Sequence, residues 1–188
     1  MPDGVPICGR CLRHPPAFDA ALVAVDYAHP WDGLVTRFKF HAALDLADAF
    51  AERLLEAATR SATGPPGLLL PAPLSAERLR ERGYNQAWEL ARRLARRLRV
   101  PAAADLLLRV RHTPQQMGLP LSERAANVHN AFAVEPRRRH ELHGREVTLV
   151  DDVLTTGATA EEMARVLRDA GAARVQVWAL ARTPPPGD

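Results

Sequence analysis

The stretch Val147-Thr-Leu-Val-Asp-Asp-Val-Leu-Thr-Thr-Gly-Ala-Thr159 decides the fold. Its first four residues are apolar or β-branched and predict a short buried strand over Val147–Val150. Asp151 and Asp152 follow, where this strand is expected to end. A loop of small residues then leads directly into a helix predicted over Thr159–Ala170. The order of strand, acids, small-residue loop and helix is typical of a ligand site in an α/β protein.

The loop after the acids has the chemistry of a phosphate site. A helix N-terminus offers unpaired N–H groups and the positive end of a dipole to an anion, and threonine hydroxyls add donors. The candidate phosphate contacts are Thr155, Thr156, Gly157, Ala158 and Thr159. Asp151 and Asp152 repel a phosphate but accept hydrogen bonds from sugar hydroxyls, which favours a 5′-phosphosugar. The alternative is a solvated acidic turn followed by an ordinary helix cap.

The rest of the chain predicts an α/β domain built on a mainly parallel sheet, because strand-like apolar runs alternate with segments of helical periodicity. The predicted strands are Ala21–Tyr27, Gly67–Pro71, Leu106–Val110, Ala131–Val134, Val147–Val150 and Val175–Leu180. The predicted helices are Leu44–Ala58, Ala87–Leu98 and Thr159–Ala170.

Composition and motif content exclude several classes of protein. The 188 residues are 47% hydrophobic and 25% charged, which fits one globular domain rather than a disordered chain. The net charge of +3 suits phosphate-bearing ligands without requiring a polyanion. No apolar run approaches the roughly 20 residues of a membrane-spanning helix, so we expect a cytoplasmic protein without membrane insertion. Neither the P-loop motif nor the dinucleotide fingerprint occurs.

The stretch Val147–Thr159 resembles the motif with which type I phosphoribosyltransferases bind phosphoribosyl diphosphate (PRPP). The resemblance implies that Asp151 and Asp152 hold the ribose 2′- and 3′-hydroxyls, and that Thr155–Thr159 wraps the 5′-phosphate. It also implies Mg²⁺ as a cofactor. This metal would be held mostly by the diphosphate and the ribose hydroxyls, as suits an ion that keeps waters and substrate oxygens.

A second cluster follows the strand that ends near Pro71, and its arginines, amides and glycine suit a second anion. Diphosphate is the candidate that the resemblance suggests. The predicted contacts are Ser75, Arg78, Arg82, Gly83, Asn85 and Gln86. The alternative is a solvated basic loop.

A proline-interrupted polar stretch between two predicted strands is too long for a plain connector, and such loops are often lids. A lid that closes over a departing diphosphate would exclude water and bring positive charge to it. The residues predicted to act in catalysis from this stretch are Arg111, Gln116, Arg124 and Asn127.

The segments Pro71-Ala-Pro-Leu74 and Arg82-Gly-Tyr-Asn-Gln86, together with the polar stretch before Ala131-Phe132, resemble the ComF/GntX family of competence-associated phosphoribosyltransferase-like proteins. The resemblance implies a phosphoribosyltransferase-like domain over residues 18–183, with a hood region at roughly residues 18–64. It implies transfer of phosphoribose from PRPP to an unidentified acceptor, in DNA uptake or nucleotide reuse. A dimer is compatible with this fold.

Two further functions remain open at this point. One is a non-catalytic module that senses PRPP or a nucleotide. The other is an accessory of the competence machinery that contacts single-stranded DNA. An arginine stripe on the polar side of the Ala87–Leu98 helix is the candidate DNA contact, and its alternative is a solvated helix face. The stripe consists of Arg92, Arg93, Arg96, Arg97 and Arg99.

Lys39 is the only lysine of the chain, at a position where ComF proteins tend to have one, and we predict that it contacts the ligand. Its alternative is chance survival on an exposed helix. Family members usually carry an N-terminal zinc ribbon with two C-x-x-C pairs. This sequence has one pair, Cys8 and Cys11, within a partial ribbon over residues 1–17. His14 is a candidate third Zn²⁺ ligand, and the alternative is two free thiols. Residues 184–188 are expected to be a disordered tail.

Overall fold

The computed structural model describes residues 9–61, 63–111 and 127–183. Its strands are β1 (Ala20–Asp26), β2 (Leu68–Pro71), β3 (Leu107–Arg109), β4 (Phe132–Val134), β5 (Glu146–Leu154) and β6 (Arg174–Arg182). Its helices are α1 (Gly9–Arg13), α2 (Trp31–Phe40), α3 (Leu46–Thr59), α4 (Ala76–Arg82), α5 (Gln86–Leu98) and α6 (Ala158–Asp169), with a 3-10 helix over Pro136–Leu142.

The central sheet has four parallel strands in the order β1-β6-β5-β2. The predicted α/β class with a central parallel sheet is therefore confirmed. Strands β3 and β4 were expected to join this sheet but form a separate antiparallel ribbon, in which Leu107 pairs with Val134 and Arg109 with Phe132. An antiparallel pair needs no crossover connection, so these two strands can pair with each other outside the parallel sheet.

Helices pack on both faces of the sheet because the buried side chains of each strand alternate in direction. Leu68 and Leu70 of β2 belong to a core shared with α6 and the β3–β4 ribbon. Leu69 between them belongs to a second core, shared with α2, α3 and α5. A three-layer α/β arrangement follows, and its parallel strands all direct their carboxyl ends to the same edge of the sheet.

Strand β5 is longer than predicted, since it continues through both acids to Leu154. The predicted end at Val150 is wrong because β6 offers a partner along the whole segment: Asp151 pairs with Ala179, and Leu154 pairs with Arg182. Ladder pairing with a neighbouring strand outweighs the low strand propensity of aspartate. Both carboxylates therefore project from regular sheet backbone.

The second predicted anion cluster is mostly helical. Ser75 caps α4, with its Oγ accepting from the N–H of Arg78 at 3.4 Å, and Gly83 ends this helix with φ = 80°. A helix of seven residues with five charged side chains shows no apolar periodicity, so α4 could not be predicted from the sequence pattern. Within the described ranges, no helix is long and apolar enough to cross a membrane.

Candidate phosphoribose site

Asp151 and Asp152 project toward opposite faces of the sheet, because successive residues of a strand alternate in direction. Asp151 has the parity of Leu149, which lies in the core beside α6 and the β3–β4 ribbon. Asp152 has the parity of Val150, which lies in the core beside α2 and α5. The two carboxyls nevertheless remain close enough to interact, and Lys39 acts on the charge of Asp151 as well as pairing with Asp152.

Asp152 forms an ion pair with Lys39, whose Nζ lies 3.1 Å from Oδ1. The aspartate is 4% exposed, and the lysine reaches it from the last turn of α2. A buried carboxylate normally needs a cation or several donors to remain ionised. The only lysine of the chain thus lies at the predicted site, on the side of the sheet that carries α2.

Asp151 has a different charge state. Burial and the negative charge of Asp152 together raise the pKa of its carboxyl to about 7, against the opposing positive charge of Lys39. The backbone N–H of Asp152 donates to Asp151 Oδ1 at 2.8 Å and fixes the orientation of this carboxyl. Near neutral pH the pair therefore offers acceptor oxygens to sugar hydroxyls without a full double negative charge.

The segment between β5 and α6 has the geometry of an anion-binding turn. Gly157, immediately before α6, has φ = 84°, a left-handed conformation that glycine adopts without strain. Thr156 Oγ1 accepts from the N–H of Ala158 at 3.4 Å, and Thr155 is exposed. The predicted contacts Thr155–Thr159 thus lie together around the N-terminus of a 12-residue helix. Their binding role remains a prediction.

Two arginines lie near each other beside Asp151. Burial and the positive charge of Arg78 together lower the pKa of Arg109 to about 10, whereas Asp151 opposes the change. Burial likewise lowers the pKa of Arg78. The guanidinium of Arg109 lies 5.3 Å from the ring centroid of Phe132. Neighbouring like charges next to a substrate-facing carboxyl suit an anion that would relieve their repulsion.

Arg109 lies in the predicted strand Leu106–Val110 and is not among the predicted ligand contacts. Its position depends on the register of the β3–β4 ribbon, in which it pairs with Phe132. That register brings it toward Arg78 of α4, a residue 31 positions earlier in the numbering of the chain. The sequence signal that could have indicated a ligand contact here was an arginine near the end of the apolar run Leu106–Val110.

The other residues of the second cluster hold the segment between α4 and α5. Asn85 caps α5 by accepting from the N–H of Ala87 at 2.9 Å, and its amide donates to the carbonyl of Ala72 at 3.0 Å. Arg82 donates to the side-chain oxygen of Gln86, which is 5% exposed. This side of the site is therefore rigid before any ligand is present. Direct ligand contact by these residues remains a prediction.

The predicted lid is described only at its two flanks. Gln116 and Arg124 lie outside the described residues. The guanidinium of Arg111 donates to the carbonyls of Asn127 at 3.2 Å and His129 at 2.6 Å, so it ties the two flanks of residues 112–126 together. The predicted catalytic roles of the four residues are untested.

The arginine stripe of α5 is largely engaged in ion pairs. Arg93 is 9% exposed and contacts Glu89 at 2.6 Å and Asp48 at 3.2 Å. Arg97 contacts Asp48 at 3.5 Å and Glu52 at 3.2 Å. Arg92 pairs with Glu89 at 2.5 Å, and Arg96 and Arg99 are exposed. The stripe mainly fastens α5 to α3, and contact with single-stranded DNA remains a prediction.

The predicted zinc site cannot be assembled from the described residues, since Cys8 lies outside them. Cys11 lies in α1. Within residues 9–61, 63–111 and 127–183, no group of three or more histidine, cysteine or acidic side chains is placed to hold a metal ion. Zinc binding therefore remains a prediction.

The protein is of the phosphoribosyltransferase type. Its parallel sheet carries two acids ahead of a small-residue turn and a helix N-terminus, and residues 85–185 match the phosphoribosyl transferase domain family. Within this superfamily the chain belongs to the ComF family, as predicted. It is 39% identical over 180 residues to competence protein F of Haemophilus influenzae, covering 93% of this chain and 78% of that protein.

Further relatives agree with this assignment. DNA utilization protein YhgH of Escherichia coli is 38% identical over 181 residues, covering 94% of this chain and 78% of that protein. Among solved structures, the glutamine phosphoribosylpyrophosphate amidotransferase from B. subtilis, complexed with ADP and GMP, aligns with 77% of this chain and 30% of its own. Its sequence identity is 17% and its TM-score is 0.48.

Proposed function

We propose that the protein binds PRPP with Mg²⁺ and transfers its phosphoribosyl group to an acceptor, releasing diphosphate. The observation that carries this proposal is the pair Asp151 and Asp152 at the carboxyl end of β5, directly ahead of the N-terminus of α6. Acceptor oxygens for sugar hydroxyls and donors for a phosphate thus adjoin each other, as a 5′-phosphosugar requires.

Each group of residues has one task in this proposal. The two carboxyls accept hydrogen bonds from the ribose hydroxyls, and the turn at Gly157 with the first N–H groups of α6 holds the 5′-phosphate. Arg78 and Arg109 balance the charge of the diphosphate. Mg²⁺ suits a site made of carboxylates and phosphate oxygens, because it prefers hard oxygen ligands, and it would supply further charge neutralisation there.

In the transfer step a bond forms between C1 of the ribose and a nucleophilic atom of the acceptor, while the bond from C1 to the diphosphate oxygen breaks. The diphosphate leaves with the bonding electron pair, and a proton leaves the acceptor for solvent. Positive charge develops on the ribose as the bond breaks. The carboxyls of Asp151 and Asp152 stabilise that charge, and the two arginines stabilise the leaving group.

We further propose that this chemistry serves DNA uptake or the reuse of nucleotides in the cytoplasm. The support is the similarity to proteins named competence protein F and DNA utilization protein YhgH. Such a role makes products of DNA breakdown reasonable acceptors or effectors.

Calorimetric titration of PRPP with and without Mg²⁺, together with diphosphate release in the presence of a panel of acceptors, tests the proposal. We expect Mg²⁺-dependent binding that is lost when Asp151→Ala and Asp152→Ala are combined. Binding without release of diphosphate for any acceptor would favour a sensor of PRPP. Wild-type protein that does not bind PRPP, or a double variant that binds it equally well, would overturn the proposed site.

A further inference from the structure

A buried carboxylate of α6 has no part in the proposed transfer step. Glu162 is 7% exposed, and Arg165 of the same helix donates to its two oxygens at 3.0 and 2.8 Å. These hydrogen bonds lower the pKa of Glu162 below its ordinary value, although burial opposes the shift. The side chain is therefore an ionised acceptor that is held in one orientation by its arginine partner.

Another partner of this carboxylate is a backbone group outside the helix. The N–H of Asn130 donates to Glu162 Oε1 at 2.7 Å. Asn130 has φ = 54°, a left-handed conformation that asparagine adopts more readily than most residues other than glycine. A hydrogen bond to an ionised acceptor is roughly twice as strong as one between neutral groups. Glu162 thus fixes the turn at Asn130 against α6.

This turn immediately precedes strand β4. The carbonyl of Ala131 accepts from the N–H of Val110 at 2.9 Å, and Phe132, the first residue of β4, pairs with Arg109 of β3. A shift of one residue in such a ladder would turn each side chain to the opposite face of the ribbon. The position of Arg109 therefore depends on the turn that Glu162 holds.

The arginine placed in this way belongs to the proposed diphosphate contacts. Its guanidinium lies 5.3 Å from the ring centroid of Phe132, and the charges of Arg78 and Asp151 both act on it. Helix α6 therefore contributes to two parts of the site. Its N-terminus adjoins the phosphate turn, and Glu162, further along the helix, anchors the ribbon that carries Arg109.

We propose that Glu162 is a positioning residue: through the backbone of Asn130 it aligns Arg109 with the diphosphate group of PRPP. This inference rests on the proposed function, in which Arg109 balances the charge of that group. A guanidinium that binds a phosphate through two parallel hydrogen bonds is sensitive to its placement. Loss of the anchor should therefore weaken recognition of the diphosphate and spare recognition of the ribose phosphate.

The experiment uses the full chain and calorimetric titration of three ligands with Mg²⁺: PRPP, inorganic diphosphate, and ribose 5-phosphate, which lacks the diphosphate. Glu162→Ala removes the anchor, Glu162→Gln retains an oxygen that can accept from Asn130, and Glu162→Asp keeps the charge on a shorter side chain. Glu161→Ala is the matched control, because this neighbouring carboxylate accepts from the backbone N–H of Ala17 at 3.0 and 2.9 Å instead. Urea denaturation establishes that each variant is folded.

We expect Glu162→Ala to weaken the binding of PRPP and of diphosphate about tenfold or more, while its affinity for ribose 5-phosphate stays within about twofold of the wild type. Glu162→Gln should recover most of this loss, and Glu161→Ala should bind diphosphate like the wild type. Added to Arg109→Gln, Glu162→Ala should cost no further diphosphate affinity, because the effects of residues that act through one another do not add. If Glu162→Ala does not fold, Glu162→Asp should show the same selective loss.

Several results would overturn this role of Glu162 and leave the proposed function standing. They are normal diphosphate affinity in the folded variant, an equal loss of affinity for ribose 5-phosphate, and a further loss when Glu162→Ala is added to Arg109→Gln. A Glu162→Gln variant as weak as Glu162→Ala would assign the effect to the ion pair with Arg165 and would also overturn it. Wild-type protein that does not bind PRPP would instead refute the proposed function itself.

Discussion

Lys39 Nζ lies 3.1 Å from Asp152 Oδ1, at the carboxyl end of the central strand. The lysine side chain is 22% exposed and the aspartate side chain 5%, so the pair is only partly screened by water. It joins helix α2 to the sheet, and Asp151 is the carboxyl whose pKa is raised to about 7.

The first prediction concerns this ion pair. Lys39→Met leaves Asp152 buried without its cation, so we expect a loss of about 1–3 kcal/mol in the free energy of unfolding and at least a tenfold loss in PRPP affinity. Lys39→Arg should recover part of both. Arg37→Met, on an exposed position of the same helix, is the control. Urea denaturation and calorimetry give the two quantities, and equal effects of the two methionine variants would contradict the prediction.

The second prediction is a pH dependence of stability. The pKa of Asp151 is about 7 in the folded protein, above its ordinary value of 3.8. Between these values the folded state holds a proton that the unfolded state has lost, so stability falls as pH rises, by up to about 1.4 kcal/mol per pH unit. Asp151→Asn should be more stable than the wild type at pH 8, with the difference shrinking toward pH 5. If the urea midpoints of Asp151→Asn and the wild type differ by the same amount at every pH in this range, the raised pKa of Asp151 is refuted.

The third prediction separates backbone strain from ligand contact. Gly157 and Gly144 both have left-handed φ angles, 84° and 69°, and an added Cβ would meet no atom within 4 Å at either position. Each change to alanine should therefore cost about 1–2 kcal/mol of stability. Only Gly157→Ala should also lower PRPP affinity, because its Cβ would occupy the phosphate turn. If calorimetry shows that Gly144→Ala loses as much PRPP affinity as Gly157→Ala, the loss is a general effect of backbone strain rather than of ligand contact.

The fourth prediction addresses the two neighbouring arginines. Arg109→Gln removes a partly buried charge that Arg78 repels, so we expect little change in stability together with at least a tenfold loss in affinity for PRPP or inorganic diphosphate. Arg96→Gln, on the exposed face of α5, should change neither quantity. Thermal unfolding and calorimetry provide the comparison. A strongly destabilised Arg109→Gln with normal affinity would assign this arginine to the fold.

The fifth prediction concerns the arginine stripe. Arg93 is buried between Glu89 and Asp48, so Arg93→Gln should cost about 1–3 kcal/mol of stability by removing its charged hydrogen bonds to both. Glu89 keeps Arg92 as a partner, and Asp48 keeps Arg97. Electrophoretic assays of single-stranded DNA binding at low and high salt should show no specific loss for this variant while it remains folded. A folded variant that loses salt-dependent DNA binding would restore the nucleic-acid interpretation.

Local sequence signals predicted the parts of the site that lie next to each other in the chain. An apolar run precedes Asp151, and small residues precede the helical pattern of α6. These two signals are sufficient to place the acids and the phosphate turn at one edge of a parallel sheet. The strand end was misplaced because the pairing of β5 with β6 is not a property of β5 alone.

Contacts between distant segments could not be predicted in this way. The partner of Lys39 lies 113 positions later in the numbering, and the nearness of Arg78 to Arg109 depends on the β3–β4 ribbon. Helix α4 was missed because charged residues cover it on all sides. Its boundaries depend on a serine cap and a glycine end, which are weak signals without an apolar stripe.

Strand β5 carries both carboxyls inside the sheet, hydrogen-bonded to β6 through Leu154. Amide groups in such a central ladder exchange with solvent only when a large part of the molecule opens. The carboxyls therefore keep their positions until the domain unfolds cooperatively, whereas the turn at Gly157 can open alone. On heating, recognition of the sugar should persist until the global transition, and recognition of its phosphate should weaken first.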